Sequence, residues 1–254
     1  MYIKTQGLVL RETNYKEADK ILTVLTREGG KQTVKARGCR RRNSPLAAAA
    51  QLLVWSDMTL FEYRDKRTLN EAEPLELFWG LRADVEKLAL GGYFAEVAEA
   101  VAEEGRPDQA LLSLVLNSLY ALDKLNKPLP LVKAAFELKL LCVAGYEPLL
   151  DACAVCGLPE PRQPRLHLAE GVLHCTPCRS GVGDGVSLPL TPGALAAMRH
   201  VVYGDPKRLF SFRLEGEGMA CMAQACESFL LTQLERGFHT LEFYKELAAS
   251  TGLT

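Results

Sequence analysis

Four of the eight cysteines in this 254-residue sequence fall into two pairs whose spacing points to metal chemistry. Cys153-Ala-Val-Cys156 and Cys175-Thr-Pro-Cys178 stand eighteen residues apart, the spacing of a four-cysteine zinc site. Each C-x-x-C presents two thiolates from one tight turn, so two such turns can clasp one ion between them. Four thiolates at tetrahedral corners fill the shell of zinc. The expectation is one structural zinc ion per chain, with no open position for a catalytic water. Gly157 suits the turn after the first pair, and Pro177 stiffens the second. The intervening stretch from Arg165 to His174 reads as a short hairpin. A redox pair or a disulfide is the rival reading, but thiol redox motifs accompany a βαβ unit, and none borders these pairs. His167 and His174 are ligands by type; beside four cysteines they read as ordinary hairpin residues.

The second concentration of chemistry is basic. From Lys31 to Arg42 the sequence carries Lys31, Lys35, Arg37, Arg40, Arg41 and Arg42 and no acid. Successive side chains of a strand point to opposite faces, so Lys31, Lys35 and Arg37 share one face while Val34 and Ala36 can pack inward. Phosphate binding along that face and the arginine triplet is the functional reading. A solvated loop is the plain one. Tyr2, Tyr15 and Tyr63 suit base stacking and barrel packing equally. Were the basic stretch only a solvated face, the next cations to consider are Lys124, Lys127, Lys133 and Lys139.

These residues need elements to position them. Candidate strands run from Ile3 to Arg11, Lys20 to Arg27, Lys31 to Arg37, Gln51 to Tyr63 and Thr68 to Pro74, with a Gly29-Gly30 turn. Five short strands in under eighty residues suit a small Greek-key barrel, either an OB-fold or an SH3-like barrel. Residues 78–145 turn helical: Leu81, Val85, Leu88 and Ala89, then Phe94, Val97, Ala98 and Val101, recur at helical spacing. Gly91-Gly92 is expected to break or kink this segment. Asp108 caps a helix running through Leu125. After a Lys127–Pro130 linker, a third helix from Leu131 to Ala144 stops at Gly145. Residues 181–185 form a glycine-rich connection, and Thr191-Pro192 opens a helix towards Tyr203. Met219, Met222, Ala223, Cys226, Phe229, Leu230 and Gln233 form a helical core stripe. Cys142 and Cys226 read as buried apolar residues, while Cys39 and Cys221 have no evident role. The fold class is therefore α+β. Its divisions are a basic barrel over 1–77, a helical domain over 78–148 and 188–254, and a zinc-binding insert over 149–187.

Charge divides along the same line. Residues 1–67 carry fourteen basic and seven acidic side chains, and the remaining 187 carry sixteen and twenty-four, although the net charge is −1. This is the pattern of a polyanion-binding module on an acidic body. A hydrophobic content of 48% can supply a sizeable core. No uninterrupted apolar run is long enough to cross a bilayer. The opening Met1-Tyr-Ile-Lys-Thr-Gln reads as a strand rather than a signal peptide. A cytoplasmic location is expected, where paired cysteines more often bind metal than form bridges. Phosphate-binding glycine loops, H-E-x-x-H and G-x-S-x-G are all missing, and none of His167, His174, His200 and His239 has a nucleophile beside it. No catalytic residue is assigned, and an enzyme is not expected.

Three segments then carry a resemblance. Gly7 to Thr26, Gly30 to Gly38 with its arginine-rich sequel, and Ala135 to Pro148 leading into Cys153 are similar to the RecO family of bacterial recombination mediators. The resemblance covers nearly the whole chain. It implies an OB-fold followed by a helical domain bearing a zinc element. It implies binding to single- and double-stranded DNA, annealing of complementary strands and help in loading the RecA recombinase, all within the RecFOR pathway of DNA repair. Implied partners are RecR and the C-terminal tail of single-stranded DNA-binding protein, in a bacterial cytoplasm, at the nucleoid. Some family members have lost zinc cysteines; this sequence retains all four. Its final segment, Phe238 to Lys245, is less basic than many family tails. The rival readings are a zinc-ribbon factor that binds RNA or polymerase, and a thiol enzyme.

Overall fold

Alternating apolar residues in the first seventy-six positions close a barrel. The structure, a computed structural model, describes residues 1–64 and 66–251. Its first strands are β1 (Tyr2–Tyr15), β2 (Asp19–Thr26), β3 (Gly30–Ala36), β4 (Trp55–Tyr63) and β5 (Lys66–Glu76). They form a closed sheet in the order β1-β2-β3-β5-β4, in which only the β3–β5 pairing is parallel. This is the five-stranded OB-fold. The long β1 serves both sides: Tyr2 to Leu8 pair with β4, and Gly7 to Tyr15 pair with β2. Where the two ladders overlap, Gly7 leaves no room for a side chain, since a Cβ there would lie 2.6 Å from Val24 Cγ1. A bulge between Val9 and Arg11 completes the bend. The interior holds Val9, Leu22, Val24, Val34, Met58, Leu60 and Leu69, together with Cys39, Leu46 and Ala50 from the β3–β4 connection.

The fourth strand starts at Trp55 rather than at Gln51. Leu53 lies in the left-handed region at φ 63°, a conformation that cannot continue a ladder. Its N–H instead donates to Val9 O at 2.8 Å.

The α-helices of the described residues are α1 (Trp79–Arg82), α2 (Val85–Val101), α3 (Gln109–Lys124), α4 (Leu129–Val143), α5 (Pro192–Tyr203), α6 (Gly216–Leu234) and α7 (His239–Thr251). None is long and apolar enough to cross a membrane. The chain forms two compact units, one of Met1–Leu125 with the segment from Phe238 onward, the other of Asn126–Gly237. These limits differ from a division after residue 77. The reason is packing: α2 lies against β1, and α7 lies against α2.

In the first unit Asp84 caps α2 by accepting from the N–H groups of Glu86 and Lys87, at 3.0 and 3.1 Å. Asp108 caps α3 through Leu111 N at 2.8 Å. Gly91-Gly92 does not interrupt α2, contrary to the sequence expectation. Gly91 is there for close approach, because a Cβ would meet Leu53 Cδ1 at 2.9 Å and Leu81 Cδ1 at 3.2 Å.

In the second unit α4 packs against α5 and α6. It starts at Leu129, two residues before the expected Leu131, because Pro130 fits the first turn. It ends as a Schellman motif: Gly145 has φ 89°, Tyr146 N donates to Leu141 O at 2.8 Å and Gly145 N to Cys142 O at 3.3 Å. Strands β6 (Pro164–His167), β7 (Val172–Cys175) and β8 (Ser187–Pro189) form a small sheet in the order β7-β6-β8. Thr191 caps α5 through Ala194 N at 3.2 Å. Met222, Cys226, Phe229 and Leu230 of α6 are buried as the helical stripe requires, while Met219, Ala223 and Gln233 are half-buried.

Candidate metal centre and nucleic-acid interface

The β6–β7 hairpin brings the two cysteine pairs together. Cys175 ends β7, and Cys178 sits in the 3-10 turn Thr176–Gly181 that follows. Cys153 and Cys156 lie on a knuckle. There Cys153 N donates to Leu158 O at 2.9 Å, Gly157 N donates to Cys153 O at 2.8 Å, and Gly157 adopts φ 71°. A third bond, Ala154 N to Leu173 O at 2.8 Å, pins the knuckle to the hairpin. All four Sγ atoms lie within 4.8 Å of one another. A tetrahedral ion with bonds of about 2.3 Å to sulfur sets its ligands about 3.8 Å apart. Cys156 and Cys175 already stand at 3.9 Å, far beyond the length of a disulfide, which is about 2.05 Å.

The donor chemistry also fits a cation. Burial works against ionising Cys153, but N–H groups of Cys156, Cys175 and Val155 aimed at its sulfur outweigh this and bring it down to about 6. Burial and the neighbouring thiols push Cys178 up to about 12 and raise Cys175. The first thiolate forms readily and the later ones are resisted, a conflict that a dication at the centre removes, with release of protons.

The two hairpin histidines are fully buried and stand outside this cluster. His174 has both ring nitrogens engaged, Nδ1 with Cys175 O at 2.8 Å and Nε2 with Ser187 Oγ at 2.9 Å. His167 Nδ1 accepts from Glu170 N at 3.2 Å.

The basic tract divides into two kinds of side chain. Lys31 Nζ donates to Glu99 O at 2.8 Å, and Lys35 Nζ pairs with Asp19 Oδ2 at 3.0 Å. The Gly38 N–H and the Lys35 ammonium together hold the Asp19 carboxyl below the usual carboxylate range. Arg37, Arg40, Arg41 and Arg42 are exposed. Gly38, at φ 64°, ends β3 and turns the chain. Cys39 then enters the barrel core, 3% exposed, with its thiol raised by burial. Arg40 N donates to Ala18 O, and Arg41 N to Gly38 O, both at 3.0 Å. The triplet is therefore a turn anchored on the β1–β2 hairpin and held down by Cys39, a residue for which the sequence offers no role.

The aromatics face outward rather than into the barrel: Tyr2, Tyr15 and Tyr63 are 63%, 42% and 59% exposed. The lysines of the helical body are engaged. Lys124 pairs with Asp123 at 2.7 Å, Lys127 donates to Phe212 O at 3.0 Å, and Lys139 donates to Val202 O at 3.2 Å. Lys133 is buried between Glu137 and Glu227, at 2.7 Å from each. Burial opposes its charge, but the two carboxylates prevail and raise its pKa.

Fold and site together define a class: an OB-fold protein with a helical body and a four-thiol centre. The family model described as Recombination protein O N terminal matches residues 1–78, and that described as Recombination protein O C terminal matches residues 82–242. DNA repair protein RecO of Acetivibrio thermocellus is 32% identical over 247 residues, 97% of both chains. That of Symbiobacterium thermophilum is 36% identical over 248 residues, 96% of this chain and 97% of its own. That of Anaeromyxobacter sp. is 33% identical over 253 residues, 98% of both. The chain belongs to the RecO family.

Proposed function

We propose that this protein is a DNA repair and recombination mediator without catalytic activity of its own. It binds single- and double-stranded DNA through the barrel of residues 1–77, anneals complementary strands, and assists RecA loading with RecR on coated single strands. Single-stranded DNA-binding protein is engaged through its C-terminal tail, and the work is done in the bacterial cytoplasm at the nucleoid. The observation that carries this reading is the exposed arginine turn on an OB-fold in a chain of the RecO family. Arg37, Arg40, Arg41 and Arg42 make the phosphate contacts, and Lys31 and Lys35 shape the strand face beside them. Such contacts follow the backbone of either strand without reading its bases, which annealing of arbitrary complements needs.

The ion of the four-thiol centre is zinc, one per chain, held by Cys153, Cys156, Cys175 and Cys178. Its role is structural, because four thiolates leave no position for substrate. The residues 149–187 form the zinc-binding insert, and 78–148 with 188–254 form the helical body. The deciding experiment is annealing of complementary strands coated with single-stranded DNA-binding protein, with and without this protein. Acceleration is expected. No acceleration, together with tight binding of RNA or RNA polymerase, would favour a zinc-ribbon transcription or translation factor instead.

A further inference from the structure

One end of the barrel's outer face carries aromatic side chains that packing does not require. Tyr2 and Phe61 are directly paired across β1 and β4, with ring centroids 5.2 Å apart and planes inclined by 53°. They are 63% and 38% exposed. Their backbone is fixed, because Met1 and Glu62 exchange main-chain bonds of 2.8 Å in both directions. Tyr63, two residues along β4 on the same face, has the Arg64 guanidinium 5.2 Å from its ring.

The register links this patch to the basic tract. Lys35 pairs with Thr68 across β3 and β5, Thr68 with Phe61 across β5 and β4, and Phe61 with Tyr2 across β4 and β1. These four residues form one outward row, perpendicular to the strands. At about 4.8 Å per strand it spans about 14 Å. Beyond Lys35 the register passes to Ile21 and Thr13, and the ring of Tyr15, two residues farther along β1, lies 4.8 Å from the lysine ammonium.

Farther along the same strands the surface reverses sign. A groove of about 590 Å³ is lined by Glu28, Asp57, Glu71 and Glu73, with Lys4 as its one cation. Asp57 is already bonded to Gln6 at 2.9 Å, and Glu28 to Thr5. Four carboxylates repel a phosphate chain, so a nucleic acid cannot run down the strands. Its open course is across them, along the row.

Resting on the DNA-binding reading above, we infer that Tyr2 and Phe61 form a base-stacking platform for single-stranded DNA, with the exposed arginines taking the phosphates. Every base offers a π-face, so the platform accepts any sequence, whereas duplex bases are already stacked on each other and cannot use it. The same barrel would then bind duplex by charge alone and single strands by charge and stacking.

The probes are a single-stranded thymidine oligonucleotide, its abasic counterpart and a duplex of the same length. Wild type should prefer the thymidine strand to the abasic one. Tyr2→Ala with Phe61→Ala should weaken thymidine binding about 5- to 150-fold, the effect of losing about one stacked base. Binding of the abasic strand and the duplex, and the salt slope, should stay unchanged. Tyr2→Leu with Phe61→Leu keeps the apolar cover of the barrel and should show the same selective loss. Equal losses on all three probes, or no loss on thymidine, would overturn the platform. If reversing Arg40, Arg41 and Arg42 to Glu abolishes binding while the aromatic variants do nothing, the platform alone is wrong. If the arginine variant binds all probes like wild type, the barrel reading beneath it fails too.

Discussion

Reversal of Arg40, Arg41 and Arg42 to Glu tests the phosphate contacts quantitatively. Lys31 and Lys35 are each held at 3.0 Å or less, by Glu99 O and Asp19, and Arg40 spends one of its N–H groups on Lys16 O at 3.4 Å, which leaves Arg37 and the triplet with guanidinium N–H groups to offer phosphate. With one phosphate neutralised by each of these four, the plot of log affinity against log salt for a single strand should have a slope of about −2.8. With only Arg37 remaining, the slope should fall to about −0.7. Between 50 and 200 mM salt, wild type should therefore lose about fifty-fold in affinity and the variant about three-fold. Six equally available cations would instead give slopes of about −4.2 and −2.1. Anisotropy titrations of a labelled thymidine oligonucleotide at several salt concentrations separate the two cases. Circular dichroism must first establish that the variant is folded. The turn's anchor, Cys39, is untouched by the substitutions, so a folded variant is expected. A folded variant with the wild-type slope would refute the assignment, because no other property of arginine mimics counterion release.

Other expectations follow from single sites. Cys175→Ser should reduce the bound zinc below one per chain by elemental analysis and lower Tm by at least about 5 °C. A metal-free variant that melts like wild type would make the centre dispensable. Gly91→Ala should destabilise by about 1–3 kcal/mol in urea unfolding, although alanine is the better helix former, because its Cβ would press on Leu53 and Leu81. Asp19 has a folded pKa below its unfolded value, so its contribution is present above the unfolded pKa and lost as pH falls through the folded one. Asp19→Asn should accordingly be less stable than wild type at pH 7, and the difference in Tm should shrink and then vanish as pH falls through the lowered folded pKa of Asp19.

Local signals in the sequence translated directly into structure where the physics is local. Asp84, Asp108 and Thr191 each accept the N–H bonds that a capping residue should, although the sequence reading named only the latter two. Gly145 takes the left-handed C-terminal position for which it is suited. The cysteine spacing determined the cluster because two knuckles on one hairpin have few other arrangements. What the sequence hid was tertiary. Alternation placed Lys31 and Lys35 on an outward face correctly, but Lys31 reaches a carbonyl 68 positions away and Lys35 meets Asp19 of the neighbouring strand. Gly91 reads as a helix breaker by propensity, yet its lack of a Cβ serves contacts with Leu81 of the preceding helix and with Leu53, which is far off in sequence. Cys39 looked idle because only the closed barrel reveals that the residue after Gly38 points inward. Tyr2 was ambiguous because a strand's end residue is covered or exposed according to what passes over it, which no local pattern records.

The four-thiol centre follows from how little apolar surface the insert can bury. Strands β6 and β7 have four residues each and β8 has three. Leu150, Leu166, Leu168 and Leu173 are buried, but Leu149, Val155, Leu158 and Val186 are 58%, 43%, 41% and 61% exposed. At about 1.5–3 kcal/mol for each fully buried apolar side chain, four leucines offset the ordering entropy of only a few residues. The bundle has no such shortage, since Phe136, Leu138, Leu140 and Leu141 of α4 and Phe229 and Leu230 of α6 are almost fully buried. Small domains short of core rely on a cross-link, and an ion held by two knuckles closes the loop between them as a disulfide would. It does so without depending on an oxidising compartment. It would also relieve the burial and the crowding of neighbouring thiols that raise Cys175 and Cys178 and resist their ionisation. On the proposed reading the work of such an ion would be complete once the knuckles are joined, and four thiolates around it would leave no ligand position for chemistry.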